Sequence, residues 1–89
     1  MKTFYVYILY SSSHDRYYVG QTNDVADRLH RHNRGYERST SPYVPWVLVL
    51  SIGKSTRSEA MILERKIKNL NRADLAKFIL KYGIPGGEV

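Results

Sequence analysis

FYVYILYSSSHDRYYVGQ, residues 4–21, decides the reading of this chain, because it gathers tyrosine into two runs separated by a turn. Residues 4–10 are almost continuously aromatic and aliphatic, which suits a strand buried at least partly on both faces. SSSHD at 11–15 is turn chemistry, and RYYVGQ at 16–21 reads as a second strand, so the short connection makes an antiparallel hairpin. If Tyr10 pairs with Asp15, Tyr7 lies directly across from Tyr18. A register two residues away leaves the two phenols diagonal but still on one face. Gly20 is the anomaly, since glycine weakens a strand and marks a bulge or the close approach of another group.

Working outward, Thr22, Asn23 and Asp24 are N-cap candidates for a helix running to about Asn33, with Gly35 ending it. Residues 35–45, GYERSTSPYVP, carry polar residues, glycine and two prolines and read as a loop. A loop of that length in a small domain is often functional. WVLVLSIG at 46–53 has the length and apolarity of a third strand. Thr56 then caps a second helix, RSEAMILERKIKNL, with Ala60, Leu63, Ile67 and Leu70 at helical spacing. A third helix begins near Asn71 or Asp74 and closes at Gly83. The order β-β-α-β-α-α implies an α+β fold, a small three-stranded antiparallel sheet flanked by helices. Residues 1–83 read as one domain and 84–89 as a frayed tail.

With 89 residues the chain supports one modest core. It contains no cysteine, which excludes disulfides and thiolate metal sites and permits a reducing compartment. No apolar run approaches the ~20 residues that span a bilayer. The tyrosine-rich start lacks a signal-peptide cleavage site and reads as the first strand, so a cytoplasmic location is expected. Fourteen Lys and Arg against eight Asp and Glu give a net charge of +6, which favours a polyanionic partner.

Three features carry potential chemistry. The paired tyrosines are equally explained as a cross-strand aromatic contact. On the first helix, Val25, Leu29 and His32 fall within about 60° of one another and form the buried stripe. Arg28 borders that stripe one turn before His32, where it either covers the core with its stem or serves a site. On the second helix, Glu64 flanks the apolar stripe, where taken alone it is better explained by an ordinary i,i+4 pair with Lys68 than by metal ligation. Together, two phenols, a guanidinium, an imidazole and one carboxylate are chemically complete for one-metal phosphodiester hydrolysis. One carboxylate suits Mg²⁺ (or Mn²⁺), which keeps several waters and takes substrate oxygens.

YVY at 5–7, YVG at 18–20, Arg28 and His32 on the first helix, and EAMILERKIK at 59–68 together resemble the GIY-YIG nuclease superfamily. The likeness is to its small stand-alone bacterial members, and it covers about residues 3–82. It implies that Tyr7 and Tyr18 position the attacking water and help to deprotonate it. It further implies that Gly20 lets backbone and phosphate approach, that Arg28 stabilises the transition state and that His32 assists proton transfer. Glu64 matches the single metal-binding carboxylate. Tyr5 stands where the motif has its first glycine, and Gln21 stands where excision-repair relatives have lysine. The asparagine that follows the second helix in those relatives has no clear counterpart.

The resulting expectation is a divalent-metal-dependent endonuclease that cuts DNA, with a role in repair or recombination. The catalytic groups should converge on one shallow concave face, and the catalytic reading as drawn from sequence requires Glu64 on the same side of the sheet as Tyr18. Arg31, Arg34, Arg38, Lys66 and Lys68 are the candidate phosphate contacts. A domain of this size has little surface for sequence readout, so shape recognition or a targeting protein partner is expected. The alternative is a nucleic-acid-binding module with the same fold and little cleavage. An RRM-like sheet with base-stacking aromatics expects β-α-β-β-α-β order, which the adjacent first strands contradict.

Overall fold

A computed structural model describes residues 2–84; the proposed frayed tail at 84–89 lies, apart from Ile84, outside the described residues. Its elements are β1 (Phe4–Ser11), β2 (Arg16–Thr22), α1 (Val25–Asn33), β3 (Val47–Lys54), α2 (Arg57–Lys68) and α3 (Arg72–Tyr82). One short 3-10 turn, Ser41–Tyr43, lies within the expected loop. The sheet is antiparallel in the order β2-β1-β3, so β2 is an edge strand.

The helices start where local chemistry dictates. The Asp24 side chain accepts from Asp27 N, Thr56 from Glu59 N, and Asn71 from Asp74 N. At Thr56 the cap is reciprocal, because its hydroxyl also donates to Glu59 Oε1 at 3.0 Å. Gly35, at φ +77°, turns the chain away after α1 in a conformation that favours glycine. After α3, Ile84 N donates to Val49 O at 2.9 Å and ties the chain back to β3.

The alternation along β1 builds two cores. Val6 and Ile8 point to the face covered by α2 and α3, where they join Leu50, Ala60 and Ile67. Tyr7 and Leu9 point to the other face, where they join Trp46 and Leu48, with Tyr18, Val25 and Leu29 packed around them. Each fully buried aliphatic side chain contributes about 1.5–3 kcal/mol, so neither face can be left uncovered without unfolding so small a domain.

The hairpin adopts the diagonal register. Tyr10 pairs with Tyr17 rather than Asp15, and Tyr7 lies opposite Gly20. The reason is steric. A β-carbon at Gly20 would stand 2.7 Å from Tyr7 Oη, 2.8 Å from its Cζ and 3.0 Å from Tyr18 Cε2. The missing side chain is the space into which the buried Tyr7 ring lies. Gly20→Ala is therefore expected to lose about 1–3 kcal/mol of stability, the usual cost of overpacking. Urea unfolding measures this, and an unchanged midpoint would contradict the packing role.

Candidate active site

Tyr7, Tyr18 and His32 form one aromatic cluster on the α1 side of the sheet. The Tyr7 and Tyr18 rings are 6.2 Å apart between centroids, and Tyr18 and His32 are 4.7 Å apart. Tyr7 is almost wholly buried and its hydroxyl lies 3.0 Å from His32 Nε2. His32 is equally buried, and its Nδ1 lies 2.8 Å from Thr40 Oγ1. Two bonds between buried groups thus fix the imidazole from opposite sides.

The loop after α1 exists in this form because it must deliver Thr40. Asn33 clamps it with a reciprocal pair, receiving Trp46 N at Oδ1 (2.6 Å) and donating Nδ2 to Trp46 O (2.9 Å). The buried Trp46 indole then donates Nε1 to Thr40 O at 3.0 Å. Thr40 itself is buried, and its hydroxyl reaches Glu37 O at 3.3 Å.

The electrostatics of the pair are opposed. Burial raises the Tyr7 phenol well above the ordinary tyrosine range, and the nearby Tyr18 adds to this, while the Arg28 guanidinium pulls it down. Burial also lowers His32 below its usual value; Glu37 works against that shift, and Arg28 and Arg31 reinforce it. At neutral pH the site therefore holds a protonated phenol beside a neutral imidazole.

Glu64 is not part of this cluster. Helix α2 packs on the other face of the sheet, so convergence of all five residues on a single face, as expected from sequence, does not occur. The site wraps around the β2 edge instead. Gln21, next in the chain to Gly20, points to the α2 face, and its Nε2 donates to Glu64 Oε1 at 2.9 Å. Arg28 lines a groove with Gln21, Thr22, Asn23 and Arg57, and Glu64 lines a second groove that shares Gln21 and Arg57. Gln21 and Arg57 contribute to the walls of both grooves.

The Glu64 carboxyl also meets Lys68 Nζ at 2.7 Å. Burial pushes it up, but the donors of Lys68 and Gln21 outweigh this and hold it below the usual carboxylate range. Among the described residues, no group of three or more His, Cys, Asp or Glu is placed to hold an ion. The donor set fits an ion that keeps most of its waters and needs one protein carboxylate, as Mg²⁺ does. Gln21 presents its Nε2 to that carboxylate, and its Oε1 is buried without a hydrogen-bond partner.

Of the basic residues singled out, Arg31, Arg34 and Arg38 are exposed at the end of α1 and in the following loop. Lys68 is held by Glu64. Lys66 faces away from both grooves, lining a third depression with Lys54, Glu59 and Leu63. Two participants escaped the sequence reading. Arg57 sits at the α2 N-terminus with its guanidinium 5.4 Å from the Phe4 ring centroid, and only the fold brings it to Gln21. Thr40 gave no signal beyond its place in a long loop.

Against known proteins, the sequence pattern of the GIY-YIG catalytic domain matches residues 3–78. A structure-specific endonuclease subunit SLX1 homolog from Giardia intestinalis is 43% identical over 58 residues, which is 61% of this chain and 16% of that protein. The chain thus spans less than a fifth of that relative's length. The solution NMR structure of the UPF0213 protein BH0048 from Bacillus halodurans is 31% identical. It superposes with a TM-score of 0.62 over 93% of this chain and 88% of its own. With the paired tyrosines, the Gly20 cradle and the helix arginine in place, and the domain pattern running through nearly the whole described length, this chain belongs to the GIY-YIG family.

Proposed function

We propose that the protein is a divalent-metal-dependent endonuclease that hydrolyses DNA phosphodiester bonds. The observation that carries this reading is the buried hydrogen bond between Tyr7 and His32, set beside an arginine whose groove shares Gln21 and Arg57 with the groove lined by Glu64. Water attacking phosphorus must lose a proton, and burial of Tyr7 disfavours a standing phenolate. A relay avoids it. Tyr7 Oη accepts the water proton as its own proton passes to the neutral His32 Nε2, so charge never rests on the phenol alone.

Tyr18, half-buried and the more accessible phenol, orients the water. Arg28 supplies positive charge as negative charge grows on the phosphate oxygens, and the leaving oxygen takes its proton from solvent. Arg57, at the junction of the grooves, holds the phosphate toward Glu64. Glu64 would hold the divalent ion, which when bound neutralises charge on the phosphate. The relative's description as a structure-specific endonuclease subunit supports a substrate recognised by its structure, and a further subunit, for this chain too.

One observation favours the binding-module reading: Lys68 and Gln21 already satisfy the Glu64 carboxylate without any ion. Two substitutions separate the readings. For the nuclease, Arg28→Ala lowers cleavage of branched or supercoiled DNA by about 10²–10³-fold with little change in affinity. Glu64→Ala abolishes cleavage in Mg²⁺ or Mn²⁺ while metal-free DNA binding holds or tightens. Wild-type protein that nicks no DNA form, with Arg28→Ala reducing affinity alone, would establish the binding module.

Binding should also weaken steeply as salt rises, because phosphate contacts release counterions. Fluorescence anisotropy across a salt series measures it, and a flat response would remove the phosphate roles of Arg31, Arg34 and Arg38.

The His32 environment sets the pH response. Its pKa is depressed in the folded state, so the unfolded chain binds the extra proton first, and the stability from neutral His32 is complete above about 6.5. That stability is lost as pH falls through the lower folded value, and cleavage should fall in the same window. Activity that stays level through that acid range would remove His32 from the relay.

A further inference from the structure

The Tyr7–His32 relay works in one direction only, because a neutral imidazole has one lone pair and one N–H. Its use as a proton acceptor requires that the lone pair sit on Nε2, facing Tyr7. Two independent features decide where it sits.

At the outer end, Thr40 Oγ1 touches His32 Nδ1 at 2.8 Å and Glu37 O at 3.3 Å. A carbonyl oxygen only accepts, so the contact to Glu37 O, which also receives the Thr40 and Ser41 amides, gives the Thr40 hydroxyl proton an acceptor other than His32. With the proton directed there, the hydroxyl oxygen accepts from His32 and Nδ1 carries the proton. At the inner end, the buried Tyr7 hydroxyl meets His32 Nε2 at 3.0 Å, and the Arg28 guanidinium that acts on the same hydroxyl can only donate. If Nε2 donated to Tyr7, the phenolic proton would be left buried without an acceptor, which costs about 1–3 kcal/mol. Both ends select the same arrangement.

We infer that Thr40 is a positioning residue for His32, holding it as the Nδ1–H tautomer so that its Nε2 lone pair accepts the Tyr7 proton. The chain of donation runs from Tyr7 Oη–H to His32 Nε2, from His32 Nδ1–H to Thr40 Oγ1, and from Thr40 Oγ1–H to Glu37 O. When the proton crosses, the bond to Tyr7 Oη breaks and one to Nε2 forms, and the imidazolium still donates its Nδ1–H to Thr40. The water proton restores the Tyr7 hydroxyl, so atoms and charge balance.

Thr40 is anchored independently of this bond. Its carbonyl receives the Trp46 indole, and its amide donates to Glu37 O at 3.1 Å. Loop residue Thr40 therefore acts as a fixed acceptor, and the long segment between α1 and β3 gains a purpose. The charged and titratable groups around His32 are Tyr7 from β1, Tyr18 from β2, Arg28 and Arg31 from α1 itself, and Glu37 from the loop. The catalytic consequence rests on the nuclease reading, whereas the tautomer does not.

The test is long-range ¹H–¹⁵N NMR of the histidine rings above pH 7, on the full chain without DNA or metal. His32 should show a protonated Nδ1 and an unprotonated Nε2. Thr40→Val should lose that preference, and Thr40→Ser, which keeps the hydroxyl, should restore it. In cleavage assays Thr40→Val should lower kcat at least ~10-fold, within what a positioned proton acceptor contributes, with KM unchanged, and Thr40→Ser should recover it. A protonated Nε2 in the wild-type protein overturns the inference outright, even if Thr40→Val fails to fold. Thr40→Val that keeps the wild-type tautomer overturns it as well. Wild-type protein with the Nδ1–H tautomer but no cleavage of any DNA would refute the nuclease reading and leave the role of Thr40 upheld.

Discussion

A single buried hydrogen bond, Tyr7 Oη to His32 Nε2, organises the α1 side of this domain. Both groups are polar and almost wholly buried, so each must find a partner inside the protein. Tyr7 finds His32 only if its ring lies flat across the sheet, and this requires a residue without a side chain opposite it on β2. His32 has a second nitrogen to satisfy, and this draws Thr40 inward from a loop eight residues away in sequence. Thr40 in turn receives the Trp46 indole, which fills the core below Tyr18. The hairpin register, the loop path and the start of β3 all follow from satisfying two polar groups on one face.

The same bond resolves a chemical difficulty. A phenol buried this deeply is a poor proton acceptor by itself, because ionising it in a low-dielectric setting is unfavourable. Burial acts on the imidazole in the opposite sense and keeps it neutral with a free lone pair. Desolvation therefore turns Tyr7 and His32 into a donor and an acceptor matched to each other. Arg28 biases the pair further, favouring negative charge on the oxygen and disfavouring positive charge on the ring.

The parts legible in the sequence were those governed by neighbours in the chain. The hairpin, the caps at Asp24, Thr56 and Asn71, and the stripes on α1 and α2 all stand close to where periodicity and turn chemistry put them. So does the Glu64–Lys68 pair, an i,i+4 contact. The exact register was not legible, since Tyr10–Asp15 and Tyr10–Tyr17 pairings both put Tyr7 and Tyr18 on one face; the choice depends on ring packing over Gly20. Nor was the side of the sheet on which α2 lies. Helical periodicity shows which face of a helix is apolar, but not which face of a sheet it covers, so Glu64 and Tyr18 could not be set on opposite sides beforehand. Thr40 and Arg57 join the site through loop path and helix placement, to which local pattern is blind.

The β2 edge is what makes a site divided between two faces workable. Within a sheet interior, groups on opposite faces are separated by the neighbouring strands and cannot act on one ligand. On an edge strand they are separated by a single backbone. Consecutive residues of β2 point to opposite faces, so Gly20 meets the tyrosine cluster and Gln21 meets Glu64 within one peptide unit. An edge strand also leaves alternate backbone groups unpaired and open to an outside partner. Along that edge Arg28 and Arg57 line one groove, and Arg57 and Gln21 also line the groove that holds Glu64. On the proposed nuclease reading, the edge strand, normally a liability to be covered, would be the seam between the tyrosine side and the Glu64 side, and burying it against a further strand would close that seam.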